Sequence, residues 1–335
     1  MSTNKDRLLQ LIESFPGKKI AVWGDFILDE YLYGTTRRIS REAPILILSY
    51  KDTRFSLGGA GNSLLNLKSL GAEPIPIGVL GSDQGGEKTL EILKQNNIPL
   101  DYIIREKKFT TPLKTRIFAG EETTRKQQIL RIDRDNKVPE EESLKQNILN
   151  NLLKLGQECH ALILSDYHYM NVKEDIFSTI LPAFRKNKLP VMVDSRFRLL
   201  HFKEITISTP NEPEAEAALS LQFDDDDKIL KHAGTQLRKK TRAEAVLITR
   251  GSKGMVLFEK NKPPFPIPIY GTTQIVDMTG AGDTVISVIA LCLACGGNFQ
   301  EAALLANYAG GIVVMKEGTA TVSPKELKEA VSSEN

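Results

Sequence analysis

Between Asp277 and Asp283 the chain reads DMTGAGD, and from there it runs without a break into the apolar tract TVISVIALCLACGG. That spacing puts a carboxylate behind a glycine turn, where a helix begins. The first turn of a helix presents backbone N–H groups that no carbonyl satisfies, together with a partial positive charge. Glycines let an anion come close to such a backbone, so TGAG offers an anion hole built from Gly280, Ala281 and Gly282. Asp283 falls in the same turn, where the helix dipole favours its ionised form, and an ionised carboxylate can take the proton of a hydroxyl. Donors for a transferring phosphoryl group beside a base for the attacking oxygen are what phosphoryl transfer requires. A plain helix start with a tight glycine turn has the same letters, so other stretches must decide.

Those stretches are present. SLGGAGNSLLNLKSLGA sets Gly58, Gly59 and Asn62 at a second loop-to-helix junction. EAVLITRGSKGM closes an apolar run with Thr249, Arg250, Gly251 and Gly254, although a glycine after a strand is often only a turn. NEPE holds Asn211 and Glu214 at the spacing of a helix cap and its first-turn acid. GDFILD puts Asp25 and Asp29 just after an apolar run, and Arg37, Arg38, Lys114 and Arg116 supply charge suited to an anion.

Short apolar runs must position these residues. KKIAVWGD, EPIPIGV, HALILSD, LPVMVD, EITIST and EAVLITRG read as buried strands, separated by helical stretches such as GNSLLNLKSLG, GEKTLEILKQNN and DKILKHAGTQLRKK. The alternation predicts an α/β fold with a doubly wound, mainly parallel sheet, whose ligands sit beyond the carboxyl ends of the strands. Two segments, about 31–53 and 109–135, break the pattern with β-formers and charge. Each offers two short strands and a turn, which predicts a small β-rich lid, with a surface hairpin as the alternative. DDDD at Asp224 to Asp227 reads as a solvated loop or helix start.

The 335 residues carry 44 Lys+Arg against 42 Asp+Glu, a net charge of +2, which argues against a dedicated nucleic-acid binder. Cys159, Cys292 and Cys295 form no disulfide framework, and the start lacks a signal-peptide core. No tract approaches the ~18 apolar residues of a membrane span, so the expectation is a soluble, cytoplasmic protein without a membrane partner. Cys292 and Cys295 make a CxxC inside an apolar helix, which reads as core, and the four histidines have no metal spacing.

The glycine pair with its asparagine, NEPE, TRGSKG and DMTGAGD, in that order, resemble the signatures of the PfkB or ribokinase family of carbohydrate kinases over nearly the whole chain. Within it, GDFILDEYLYGTTRRISREAPILIL, KTRIFAGEETTRKQQILRID and ANYAGGIVVMKEGTATVSPKEL resemble the kinase domain of enzymes that phosphorylate D-glycero-β-D-manno-heptose 7-phosphate at its anomeric oxygen. In many members a nucleotidyltransferase domain follows; here the reading is a single ribokinase-like kinase domain over 1–335 without it.

The resemblance implies ATP and a sugar phosphate as substrates, with Asp283 as base and Gly280 to Gly282 as the hole for the γ-phosphoryl group. It implies Asn211 and Glu214 organising Mg²⁺ through waters, and Thr249, Arg250, Gly251, Gly254 and Asn307 around the nucleotide. Asp25, Asp29, Gly58, Gly59, Asn62 and Gln128 would meet the sugar, and Arg38, Lys114 and Arg116 its phosphate. Arg131 and Asp133 belong to the same pattern and equally suit a mutual ion pair. Asp277, Thr279 and the EGTATVS loop would offer oxygens to a monovalent cation such as K⁺. The exposed edges of the lid predict a homodimer through it.

Two places depart from the heptose-kinase pattern. SDYHYMN stands where a lysine and glycine follow an Asp-Tyr, and VDSRFRLLHF where an Asp-Pro-Lys is usual, with Arg196 and Arg198 as candidate replacement charge. The competing readings are a kinase for ribose, fructose or a fructose phosphate, and a non-catalytic sugar-sensing or scaffold protein. A nicotinamide dehydrogenase would need G-x-G-x-x-G after the first strand, where the chain has VWGDFILD.

Overall fold

The computed structural model describes residues 5–120, 126–223, 226–271 and 275–333. In chain order the elements are α1 (Lys5–Glu13), β1 (Lys19–Gly24), β2 (Phe26–Ile39), β3 (Leu46–Gly59), α2 (Ala60–Ser69), β4 (Glu73–Gly81), α3 (Gln84–Gln95), β5 (Ile103–Glu106), β6 (Leu113–Gly120) and β7 (Gln127–Arg134). There follow α4 (Glu142–Leu155), β8 (Ala161–Asp166), α5 (Glu174–Lys186), β9 (Val191–Ser195), β10 (Ile207–Ser208), α6 (Glu212–Leu219), α7 (Asp227–Thr241) and β11 (Ala245–Thr249). The chain closes with β12 (Met255–Glu259), β13 (Phe265–Ile267), α8 (Ala281–Ala294), α9 (Phe299–Val313) and α10 (Pro324–Ser333).

Nine strands make the body sheet in the order β13-β12-β11-β10-β9-β8-β1-β4-β5. Its pairs are parallel from β5 through β11, and only β12, between β11 and β13, runs against the rest. The pleat of β1 divides the core: Ile20 and Val22 join the apolar layer under α2, α8 and α9, while Ala21 and Trp23 join the layer under α4, α5 and α7. The chain winds outward from β1 through β4 to β5, then returns to place β8 on the other side of β1. Strand order therefore reverses between β1 and β8, where a doubly wound sheet opens a crevice at its carboxyl edge. Asp25 follows β1 and Tyr167 follows β8 at that crevice.

The expected lid is a second sheet, ordered β3-β2-β6-β7, with β2 and β6 parallel across its middle. Its first two strands are not short: each runs 14 residues, so the lid begins at Phe26 and ends at Gly59 rather than spanning 31–53. The tract keeps pairing because Leu28, Tyr31 and Leu57 are buried at its base, which anchors both strands in the body before they leave it. Residues 121–125 of the expected lid, and Asp224 and Asp225 of the acidic run, lie outside the described residues. Asp226 does cap α7, accepting from the Lys228 amide at 2.7 Å.

Register sorts the lid's two faces. Asp29, Lys114 and Asp133 share one row and Tyr31, Arg116 and Arg131 the next, all on one side. That side faces the body, since Lys114 Nζ lies 5.8 Å from the centre of the Tyr167 ring. On the outer side Leu32, Ile117 and Leu130 align, with Phe55 and Ile132 nearby.

Candidate active site

The chemistry-bearing residues meet where α2 and α8 begin. Asn62 and Asp283 stand in the first turns of those helices, and Asn62 Nδ2 donates to Asp283 Oδ2 at 3.0 Å and to the Gly280 carbonyl at 3.1 Å. Asn66 holds Asn62 in turn, donating to its Oδ1, and Thr284 donates to Asn66 Oδ1 at 3.1 Å. The other Asp283 oxygen accepts from the Tyr167 hydroxyl at 3.1 Å. Asp283 is only 1 % exposed, and burial pushes its carboxyl up to about 7 despite the donors from Asn62 and Tyr167.

Gly280 caps α8 at φ 79°, and a Cβ there would come within 2.3 Å of Asn62 Nδ2. Only glycine fits both that backbone and that neighbour. Beyond it the first-turn amides of Gly282 and Asp283 donate to no backbone carbonyl among the described residues. A Cβ on Gly282 would have Asp194 Oδ2 at 3.9 Å as its nearest neighbour, so this backbone faces open space.

Two cavities meet at Tyr167, whose hydroxyl donates to Asp283 and whose side chain lines both. One, of about 540 Å³, brings together Asn211, Glu214, Thr249, Arg250, Gly251, Gly254, Asn307 and the Gly280 to Gly282 turn. Its size lies within the usual range for a small-molecule site. Arg250 donates to Glu212 at 2.7 Å, and Asn307 donates to the Pro268 carbonyl at 2.9 Å. Two residues that sequence reasoning missed also line it: Asp194, at the end of β9, and Tyr167 itself. Both close apolar strand runs, a position that marks candidates in this fold. Burial and the neighbouring Glu214, Asp283 and Asp166 push the Asp194 carboxyl well up, and Glu214 is raised as well, chiefly by burial.

The second cavity, of about 650 Å³, lies between the lid's inner face and the loops after β8 and β9. Lys114 and Arg131 line it from the lid, and Arg196 and Tyr169 from the body. Asp29 sits beside it, ion-paired to Arg116, and a Cβ on Gly58 would stand 2.7 Å from Asp29 Oδ2.

Several expectations need correction. Asp25 does not reach toward a sugar: its carboxylate accepts the backbone amides of Tyr167, Tyr169 and Asn171 at 2.8, 3.0 and 3.0 Å. His168 and Met170 between them have φ of 71° and 69°, and this alternation turns the three amides onto one anion. Gly59 packs against that loop, a Cβ on it falling 3.2 Å from the Tyr167 ring. Arg38 is exposed near the far end of β2, nine residues past Asp29 and so about 30 Å along the strand. Gln128 is exposed on β7 in the row of Phe118 and lines neither cavity.

Arg116 is committed to Asp29, and Arg131 pairs with Asp133 as one expectation had it. Arg198 supplies no replacement charge, because its guanidinium grips Asp166 with two nitrogens. Asn211 and Glu214 form a reciprocal helix cap, each side chain accepting the other's amide, at 2.8 and 3.0 Å, which leaves Glu214 Oε1 over. Asp277 accepts from the amides of Thr279 and Gly318 at 2.9 and 3.0 Å and so ties the glycine turn to the EGTATVS loop. Cys292 is buried as expected of core, and no cluster of three or more His, Cys, Asp or Glu side chains that could hold a metal occurs among the described residues.

Residues 18–326 match the model of the pfkB family carbohydrate kinase. The bifunctional protein HldE of Geobacter metallireducens is 36 % identical over 307 residues, covering 91 % of this chain and 61 % of that protein. HldE of Citrifermentans bemidjiense is 37 % identical, covering 91 % and 62 %. The chain thus spans less than two thirds of the length of these relatives. Among solved structures, Arabidopsis thaliana ribokinase complexed with ribose and ATP superposes with a TM-score of 0.71 at 20 % identity, covering 94 % of this chain and 99 % of that one. Escherichia coli phosphofructokinase-2 in complex with fructose-6-phosphate superposes at 0.72 and 17 % identity, covering 94 % and 98 %. At those identities the likeness is one of fold.

Proposed function

The chain belongs to the pfkB family of carbohydrate kinases and is a phosphotransferase acting on a sugar hydroxyl; from that premise we propose that it phosphorylates D-glycero-β-D-manno-heptose 7-phosphate at the anomeric oxygen, with ATP as donor. The observation that carries the catalytic part is Asp283, a buried carboxyl raised to about 7 and held by Asn62 and by Tyr167, the residue that lines both cavities. The sugar hydroxyl loses its proton to Asp283 as its oxygen bonds to the γ-phosphorus, and the bond from that phosphorus to the β-phosphate oxygen breaks to release ADP. The amides of Gly282 and Asp283 donate to the equatorial oxygens during transfer. A base near 7 is half ionised at neutral pH and still strong enough to accept the proton.

The choice of a heptose rests on the likeness to the HldE proteins, supported by the basic face of the lid. The nucleotide is assigned to the cavity of Thr249, Arg250, Gly251, Gly254 and Asn307, with room for a phosphate chain along Gly280 to Gly282. Asp194 and Glu214 suit Mg²⁺ there, since both carboxyls line the cavity and the charge of Glu214 helps to raise Asp194. The ion would shield the phosphate charges, and Glu214 Oε1 would meet it through water. For a monovalent cation such as K⁺, Asp277 and Thr319 fit, because Thr319 Oγ1 is buried without a hydrogen-bond partner among the described residues.

A homodimer through the outer lid face is part of the reading, as is one kinase unit carrying its own lid. No described helix is long and apolar enough to cross a membrane. Three free thiols and ATP as donor suit a cytoplasmic setting.

Asp283→Asn tests the core of the proposal. It should bind ATP with near-native affinity yet lose about 10²- to 10⁴-fold in turnover. Near-native turnover would remove Asp283 from the reaction. A panel of sugars and sugar phosphates with ATP tests the substrate, and preference for ribose or fructose would remove heptose alone.

A further inference from the structure

Asp25 is a buried carboxyl that the reaction above does not use. It is fully buried and lines neither cavity. Burial and the neighbouring Asp166 raise it to about 6, against three amides that lower it, so it is mostly ionised at neutral pH. A carboxylate taken out of water needs charge-assisted partners, and Asp25 finds them in one loop: the amides of Tyr167, Tyr169 and Asn171.

The two ends of that loop are held in different ways. At the far end Asn171 is tied to the body apart from Asp25, its side chain accepting from the Val79 amide at 2.5 Å and its carbonyl from Trp23 Nε1 at 3.0 Å. At the near end the Tyr167 amide donates to Asp25 Oδ2 at 2.8 Å. Between them His168 and Met170, neither a glycine, take φ of 71° and 69°, a backbone that persists only where its surroundings impose it. Asp25 is itself fixed, its amide donating to the Ser165 carbonyl at 2.9 Å and its carbonyl accepting from the Ala60 amide at 3.0 Å. It therefore stands between the start of α2, which carries Asn62, and the loop that carries Tyr167, the two donors to Asp283.

Resting on the reading of Asp283 as base but not on the identity of the sugar, we propose that Asp25 is a positioning residue of the phosphoryl transfer: its carboxylate holds the loop after β8 so that the Tyr167 hydroxyl stays on Asp283 Oδ1. Asp25 touches no substrate in this role and acts only through Tyr167. With Asp25 neutralised the left-handed pair relaxes, the Tyr167 hydroxyl leaves Asp283, and the base loses a donor that favours its ionised form. The sign of the effect is diagnostic. Removing a negative charge from the neighbourhood would by itself lower the Asp283 carboxyl, whereas removing its donor raises it.

The test follows the acid limb of the kcat/KM profile with ATP and the best sugar of the panel, in Asp25→Asn, Tyr167→Phe and the double variant. Asp25→Asn should move the limb to higher pH by up to about one unit, a tenfold change that one hydrogen bond to a charged group can supply. Added to Tyr167→Phe it should move the limb no further. Asn62 reaches the other Asp283 oxygen without the Asp25 carboxylate, so Asn62→Ala should add its own shift in full. The other charges that bear on this centre, Asp29 and Lys114 from the lid, Asp194 at the end of β9 and Asp166 in its pair with Arg198, stay in place in every variant. Should Asp25→Asn not fold, Asp25→Glu keeps the charge but moves it by one methylene, and the same cycle applies to it. A limb that stays or moves down, a shift that adds in full to that of Tyr167→Phe, or a shift of Asn62→Ala that vanishes beside Asp25→Asn overturns the proposal alone. Near-native turnover of Asp283→Asn overturns it together with the reading it rests on.

Discussion

Asp283 owes its chemistry to two side chains from elsewhere in the chain. The donors from Asn62 and Tyr167 favour its ionised form, whereas burial opposes it. Removing a donor must therefore raise the carboxyl further. In Asn62→Ala the acid limb of the pH–rate profile should move to higher pH than the wild type's, which the raised Asp283 carboxyl places near 7. An unmoved limb would mean that another group sets it. Tyr167→Phe should move it the same way, with the loop after β8 still held by Asp25. Gly280→Ala presents a different case: the new methyl meets Asn62 Nδ2 and the backbone is held at φ 79°. It should cost more activity than Asn62→Ala because it displaces both the turn and the side chain that holds Asp283, a comparison that steady-state rates can check.

At the scale of elements, β8 and β9 are joined at their carboxyl ends by a buried charge pair. Arg198 lies against Asp166, which is fully buried, and also donates to the Val172 carbonyl at 2.8 Å. Deleting the cation strands a buried carboxylate, so Arg198→Ala should destabilise the fold by about 3–5 kcal/mol in denaturant unfolding. The folded fraction should keep its preference for a sugar phosphate, because Arg198 faces Asp166 rather than the cavity. The lid makes a separate prediction. Leu130 and Ile132 are 52 % and 47 % exposed on edge strand β7, and an apolar edge of this kind invites pairing with another copy. Leu130→Lys with Ile132→Lys should turn a dimer into a monomer by light scattering while ATP binding persists. A wild type that is monomeric at micromolar concentration would refute the dimer.

Across the whole molecule, buried carboxyls make stability depend on pH. Asp25 stands at about 6 and Asp283 at about 7, raised by burial from the ordinary 3.8. A carboxyl whose pKa is higher in the folded chain contributes stability that is full below the unfolded value and lost as pH rises through the folded one. The window here runs from about pH 4 to about pH 7. The carboxyls that are lowered, such as Asp133 and Glu326, are only partly buried and act below it. Thermal unfolding of the ligand-free protein should therefore give a lower Tm at pH 8 than at pH 5.5. Asp283→Asn should shrink that difference, because the variant has no carboxyl there to ionise, and each tenfold weakening of an acid by folding is worth ~1.4 kcal/mol. An identical pH dependence in the variant would contradict the raised carboxyl.

The sequence by itself determined the architecture and singled out Asp283 as the candidate base. Runs such as HALILSD and LPVMVD, short, apolar and closed by turn residues, read as buried strands, and TGAG together with the motifs that accompany it marks Asp283. Those signals are local: period, glycine and cap are written within a dozen residues. What the tertiary structure decided was which charges are already spent. Asp25 and Arg116 carry the right letters, yet one is filled by three amides from a loop 142 to 146 residues away and the other is neutralised by Asp29. Lys114 and Arg196 come from a lid strand and a body loop, and only folding reveals that they line one cavity. A side chain's availability depends on partners distant in sequence, and no local pattern records them.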